Sequence, residues 1–100
     1  MKTLHLLIAT ALLLALTAPA VAQDTRDQAR DAYNQAREML NDREYEAAAD
    51  AFAEVAQAHR DSRYAAESLY WRAFALMREG RRKDLLAARD ALEVQLERYP

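Results

Sequence analysis

Apolar side chains recur along this chain at spacings of three and four, with polar residues between them, which is the period of an amphipathic helix. The clearest run is residues 62–80, SRYAAESLYWRAFALMREG. Wound as a helix, it carries Leu69, Ala73 and Leu76 along one stripe and Ala66, Tyr70, Phe74 and Met77 along the adjoining one. Arg63, Glu67, Arg72 and Arg78 lie mostly elsewhere. An apolar arc that wide predicts a helix covered on two sides by neighbours.

The flanking sequence supplies such neighbours. Ala29, Ala32, Tyr33, Ala36, Met39 and Leu40 predict one helix, with Asp24 as its cap and Asp27 at the positive end of its dipole. Asn41-Asp42 then reads as a break, Asn tolerating the left-handed conformation that ends a helix and Asp42 capping the next. A turn this short predicts antiparallel packing. The second helix, about residues 43–59, has Tyr45, Ala48, Phe52, Val55 and Ala56 on its apolar side. Ala48 followed one turn later by Phe52 lets a neighbour approach closely and then be wedged by the ring. Residues 59–62 form the next break. Gly80 stops the third helix, the run Arg81-Arg82-Lys83 follows, and Asp84 is placed to cap a fourth helix over 84–98 bearing Leu85, Ala88, Leu92 and Leu96.

Residues 1–22, MKTLHLLIATALLLALTAPAVA, have a different texture. Lys2, an apolar run over 4–16, a helix-breaking Pro19 and the small-x-small pattern Ala20-Val21-Ala22 read as a secretory signal cut between Ala22 and Gln23. The rival reading, an uncleaved membrane anchor, needs the ~18 to 20 apolar residues that span a bilayer, more than this run supplies, so cleavage is expected and no stable membrane insertion after it. The protein is therefore expected to be exported, most simply to a Gram-negative periplasm.

With one Gly, two Pro and 52% hydrophobic residues rich in Ala and Leu, the fold class is all-α. One hundred residues allow one domain. Net charge is −2, and loss of Lys2 leaves 13 basic against 16 acidic residues, or −3. The two signs interleave without a basic face, which sets nucleic acid aside. With no Cys there is no disulfide, thiolate metal site, Cys nucleophile or lipid on an N-terminal Cys.

The two helix pairs repeat. Ala36, Tyr45, Ala48 and Phe52 in the first are answered by Ala73, Gly80, Ala88, Leu92 and Pro100 in the second, with a step of 37 from Ala36 to Ala73. This pattern resembles the tetratricopeptide repeat, whose period is ~34, with Arg60 where the closing Pro of the first repeat would stand. The resemblance implies a two-pair α-solenoid preceded by a signal-peptide helix, with repeats over about 24–60 and 62–100 of a domain spanning 23–100. Within it, Tyr45-x-x-Ala48-x-x-x-Phe52, Asp61-Ser62-x-Tyr64 and Tyr70-Trp71 followed by Gly80 look like the repeat domain of the Tol-Pal-associated cell-division coordinator. They are also similar to the repeat lipoprotein of the outer-membrane β-barrel assembly machine, although the absence of Cys removes a lipid anchor.

Resemblance to tetratricopeptide domains implies a concave face lined by the first helix of each pair. Here that face takes Arg30, Tyr33, Arg37 and Leu40 with Glu67, Tyr70, Phe74 and Met77. Aromatic and Arg side chains are good anchors for a peptide or protein partner. Tyr70, Phe74 and Met77 read equally well as core, Trp71 as a side chain packed between repeats, and Arg81-Arg82-Lys83 as a solvated run or a contact for an acidic partner.

His59 has no second His or Cys beside it after cleavage, and no Ser-His-Asp set, Gly-rich loop or metal-ligand spacing appears. A non-enzyme with no cofactor and no metal is expected. The leading functional expectation is an exported adaptor or scaffold that binds a protein or peptide, with cell-envelope assembly or division implied by the resemblance alone. The alternative is a structural repeat segment or self-associating domain with no groove of its own. Repeats bury their faces only against neighbours and ~3 are normally needed, so a second copy, a partner or further repeats past Pro100 are expected to cover the last helix.

Overall fold

A computed structural model describes the backbone of residues 2–100 and the side chains of residues 22–100. Four helices follow in order: α1 Lys2–Asn41, α2 Tyr45–Ala58, α3 Tyr64–Glu79 and α4 Arg82–Arg98. Among the described residues there is no strand. The signal-peptide reading of residues 1–22 falls, apart from the backbone helix and Ala22, outside the described residues. The α1 backbone runs unbroken past Pro19 and Asp24, where the sequence predicts an interruption and a start. A proline removes one i to i−4 hydrogen bond, and the rest of a long ladder keeps the helical path.

Each helix packs on its chain neighbours, and α3 also reaches back to α1. The Cα envelope is 72 × 29 × 16 Å. Its long axis reflects the 40 residues of α1, and its thin axis holds two layers of helices packed ~8 to 10 Å apart. Small residues make that spacing available: Ala36, Ala48, Ala49, Ala73, Ala75, Ala88 and Ala91 are buried in one cluster with Leu40, Leu76 and Phe52. Phe52 is the largest of the fully enclosed side chains.

The helix ends differ from the sequence expectation in their residues. After α1 it is Arg43, with φ 63°, that takes the left-handed position expected of Asn41. The amide of Glu44 donates to the Met39 carbonyl at 2.9 Å and that of Arg43 to Leu40 at 3.1 Å, the paired bonds of a Schellman cap. That geometry puts the left-handed residue two places beyond Asn41, the last helical residue. Asp42 caps nothing, and α2 begins after Glu44 with no side-chain cap. Gly80 closes α3 at φ 78°, as its sequence predicts. Arg43 and Gly80, the left-handed residues among those described, stand 37 apart, the same step that separates Ala36 from Ala73.

Asp84 is not a cap. It lies in the first turn of α4, buried, and accepts from Arg81 Nε at 2.6 Å. Arg81 also reaches Glu46 at 3.3 Å, joining the starts of α2 and α4. At the other end, Gln95 donates to the Ala66 carbonyl at 3.0 Å and the Tyr99 hydroxyl to the Arg60 carbonyl at 2.8 Å. The turn that lacks its closing Pro is thus held by a tyrosine.

Ser68 on α3 is fully buried, and its hydroxyl has no hydrogen-bond partner. An unpaired buried hydroxyl costs roughly 1 to 3 kcal/mol, and Ala is the better helix former. Ser68→Ala is therefore expected to stabilise the fold by about 1 kcal/mol. A lowered melting temperature for that variant would mean the hydroxyl is satisfied.

Candidate functional site

The first helices of the two pairs meet along a seam of aromatic and arginine side chains. From α1, Tyr33 donates its hydroxyl to Glu67 Oε2 at 2.9 Å. Its ring sits edge-on to Phe52 at 5.9 Å and against Tyr64 at 5.0 Å. One turn further along α1, the Arg37 guanidinium lies 4.1 Å from the centre of the Trp71 ring. Trp71 in turn contacts Tyr70 at 5.1 Å and Phe74 at 5.5 Å, both edge to face. Contacts from residue 33 to 67 and from 37 to 71 both span 34 positions, which brings successive first helices side by side.

The sequence-predicted site residues fall into two groups. Arg30 turns back to its own helix, pairing with Asp27 at 3.5 Å and Asp31 at 3.2 Å. Tyr33 is half-buried in the seam and Arg37 is held on Trp71, so both serve packing as well as any partner. Tyr70, Phe74 and Met77, for which a core role was the competing expectation, instead lie open, Tyr70 at 49% and Phe74 at 37% exposure. They share the face of α3 that turns away from Ala65, Ser68 and Leu69. Trp71, on α3, is half-buried, with the Arg37 guanidinium of α1 over its ring. Tyr64 was missed, because its ring is brought to Tyr33 only when α3 lies on α1.

Burial raises the pKa of Tyr33 above its ordinary value, and the hydrogen bond to Glu67 adds to the shift, since both favour the neutral phenol. The unfolded chain then releases this proton first, so the stabilisation is present below the usual tyrosine pKa of ~10 and is lost as pH rises through the folded value. Denaturant melts should show stability falling above pH ~10, and less steeply in Tyr33→Phe. Equal slopes would remove Tyr33 from the account.

The basic run after Gly80 divides. Arg81 is engaged by Asp84 and Glu46, whereas Arg82 and Lys83 are exposed and form no ion pair among the described residues. Arg78 meets Tyr45, donating to its hydroxyl at 3.4 Å. Leu85, Leu86 and Leu96 of α4 are also exposed.

A cleft of about 460 Å³ lies where α1 passes the α2–α3 turn and includes His59, Asp61 and Ser62 in its lining. The Ser62 hydroxyl accepts from the Tyr64 amide at 3.3 Å, and Ser62 meets His59 only through its backbone amide, which donates to the His59 carbonyl at 2.9 Å. Among the described residues no group of three or more His, Cys, Asp or Glu is placed to hold a metal ion. Nor is any helix among them long and apolar enough to cross a membrane. No protein-family model, no curated protein and no solved structure matches this chain.

Proposed function

We propose that this chain is an exported interaction module, built like a pair of tetratricopeptide repeats, that binds a peptide or protein partner without catalysing a reaction. The observation that carries the reading is the open stripe of Tyr70, Phe74 and Met77 beside the Arg37–Trp71 stack. Large apolar side chains grouped on a surface mark interaction sites, and aromatic and arginine residues dominate the energetics of such sites. The stripe lies on a helix fixed by packing to α2 and α4, so its side chains are presented without ordering a loop.

Export rests on the sequence of residues 1–22 alone. Protein recovered from the exporting host should have the intact mass of a chain beginning at Gln23. A full-length chain in the membrane fraction would overturn export. A role in envelope assembly or division is supported only by the resemblance in the repeat pattern.

The interaction itself is tested by placing a photo-crosslinking amino acid at Tyr70 and, as a control, at the exposed Gln35 of α1, then irradiating the native host. A discrete heavier adduct at Tyr70 and none at Gln35 is the expected result. Equal or absent adducts at both positions would refute the groove.

A further inference from the structure

The repeat places the two helix pairs in register, and the comparison shows what is missing from the second. On the first helices the step is 37, so Tyr33 corresponds to Tyr70 and Leu40 to Met77. On the second helices the buried positions Ala48, Phe52 and Val55 match Asp84, Ala88 and Ala91, a step of 36 that replaces the sequence pairing of Ala48 and Phe52 with Ala88 and Leu92. By that step Ala49 corresponds to Leu85 and Ala56 to Leu92. In the first pair α3 lies across this face, and Leu40 and Ala49 are 8% and 2% exposed. In the second pair nothing among the described residues lies there, and Met77 and Leu85 are 58% and 47% exposed. The position of α3 on α1 and α2 therefore shows what fits on α3 and α4: a single helix laid along their seam.

The charges state its chemistry. At the start of α2, Glu46 receives a cation, Arg81, from the segment that follows. By the same step of 36 the corresponding place in the second pair is Arg82, and Lys83 beside it is also without an ion pair. The sign is inverted, so an occupant seated here must bring carboxylates. Arg63, at the opposite end of the same face of α3, has its guanidinium over the Tyr64 ring and no carboxylate partner. None of the helices over the described residues 22–100 is such a helix. Over residues 22–41 the outward face of α1, with Asp24, Gln28, Asp31, Gln35 and Glu38, has the acids but no large apolar side chain to meet Met77 and Leu85. Two copies placed face to face would set cationic rims together.

We propose that the seam of α3 and α4 is a docking site for an acidic amphipathic helix of a partner protein. Its apolar side chains cover Tyr70, Phe74, Met77, Leu85 and Leu92, and its carboxylates meet Arg82 and Lys83. The proposal rests on the interaction-module reading and names the class of partner.

The test uses synthetic peptides the length of α3, built from leucine, alanine and glutamate in an amphipathic pattern, with a counterpart carrying lysine for every glutamate. The sole tryptophan, Trp71, touches both Tyr70 and Phe74, so its fluorescence reports occupancy. The acidic peptide should bind at least about tenfold more tightly than the basic one, with affinity falling as salt is raised. Arg82→Glu should abolish that preference and Leu85→Gln should abolish binding, and circular dichroism checks that each variant stays helical. Equal binding of the two peptides, or none, overturns the acidic helix. Dimerisation of the peptide-free chain in sedimentation, blocked by Leu85→Gln, would assign the face to a second copy and equally overturn it. A specific crosslink at Tyr70 alongside failed peptide binding would leave the interaction module standing and remove only this partner class.

Discussion

Phe52→Ala is expected to destabilise the fold by about 3 to 5 kcal/mol. The ring has no solvent exposure and belongs to the cluster that joins all four helices, with Tyr33 packed edge-on against it. Truncation removes the buried area of an aromatic side chain and leaves a cavity in a cluster whose other buried members are mostly alanines. Alanines have no longer rotamer with which to fill the space, so relaxation would have to move whole helices. A small domain is stable by only ~5 to 15 kcal/mol, so thermal melts should show this variant partly unfolded at moderate temperature. Arg37→Ala is the control. The sequence alone assigns it a loss within about 0.5 kcal/mol, as for a surface residue. Its stacking on Trp71 raises that to about 0.5 to 1 kcal/mol. Equal losses in the two variants would mean that the inward and outward faces of the first pair are misassigned.

Ala48→Leu should be the second most damaging change, at about 2 to 3 kcal/mol, for the opposite reason. Ala48 is fully buried one turn before Phe52 and in the same cluster as Ala36, Ala49 and Ala75. Small residues at these points let the helices approach, and three added carbons have no void to enter without separating α2 from its neighbours. Urea unfolding measures this directly: the midpoint should fall with little change in slope. A neutral result would mean the helices are held further apart than the alanine seam implies.

The helices themselves were largely legible. Runs of apolar residues at three and four positions, with one glycine and two prolines, leave little choice of secondary structure, and α2 and α3 lie within two residues of their expected bounds. Gly80 was legible as a stop because glycine alone takes a positive φ without steric cost. Arg43 was not, because a non-glycine residue enters that region only when the paired carbonyl bonds of a cap hold it there. The candidate site was legible as a set of residue types. Which of them are spent on packing was not: Tyr33 and Tyr70 occupy equivalent places in their helices, yet one is covered by α3 and the other is open.

Periodicity is a property of a single helix, and by itself the sequence determined which face of each helix is apolar and where most helices stop. Whether an apolar face is a core or a surface depends on what lies across it. The tertiary structure alone decided that Leu40 and Ala49 are roofed by α3 while Met77 and Leu85 are not, that Arg81 is drawn inward to Asp84 and Glu46 while Arg82 is left outside, and that Arg37 rests on Trp71. Each of those outcomes joins residues that are distant in the chain or turns on a missing neighbour, and neither can be read from the spacing within one helix.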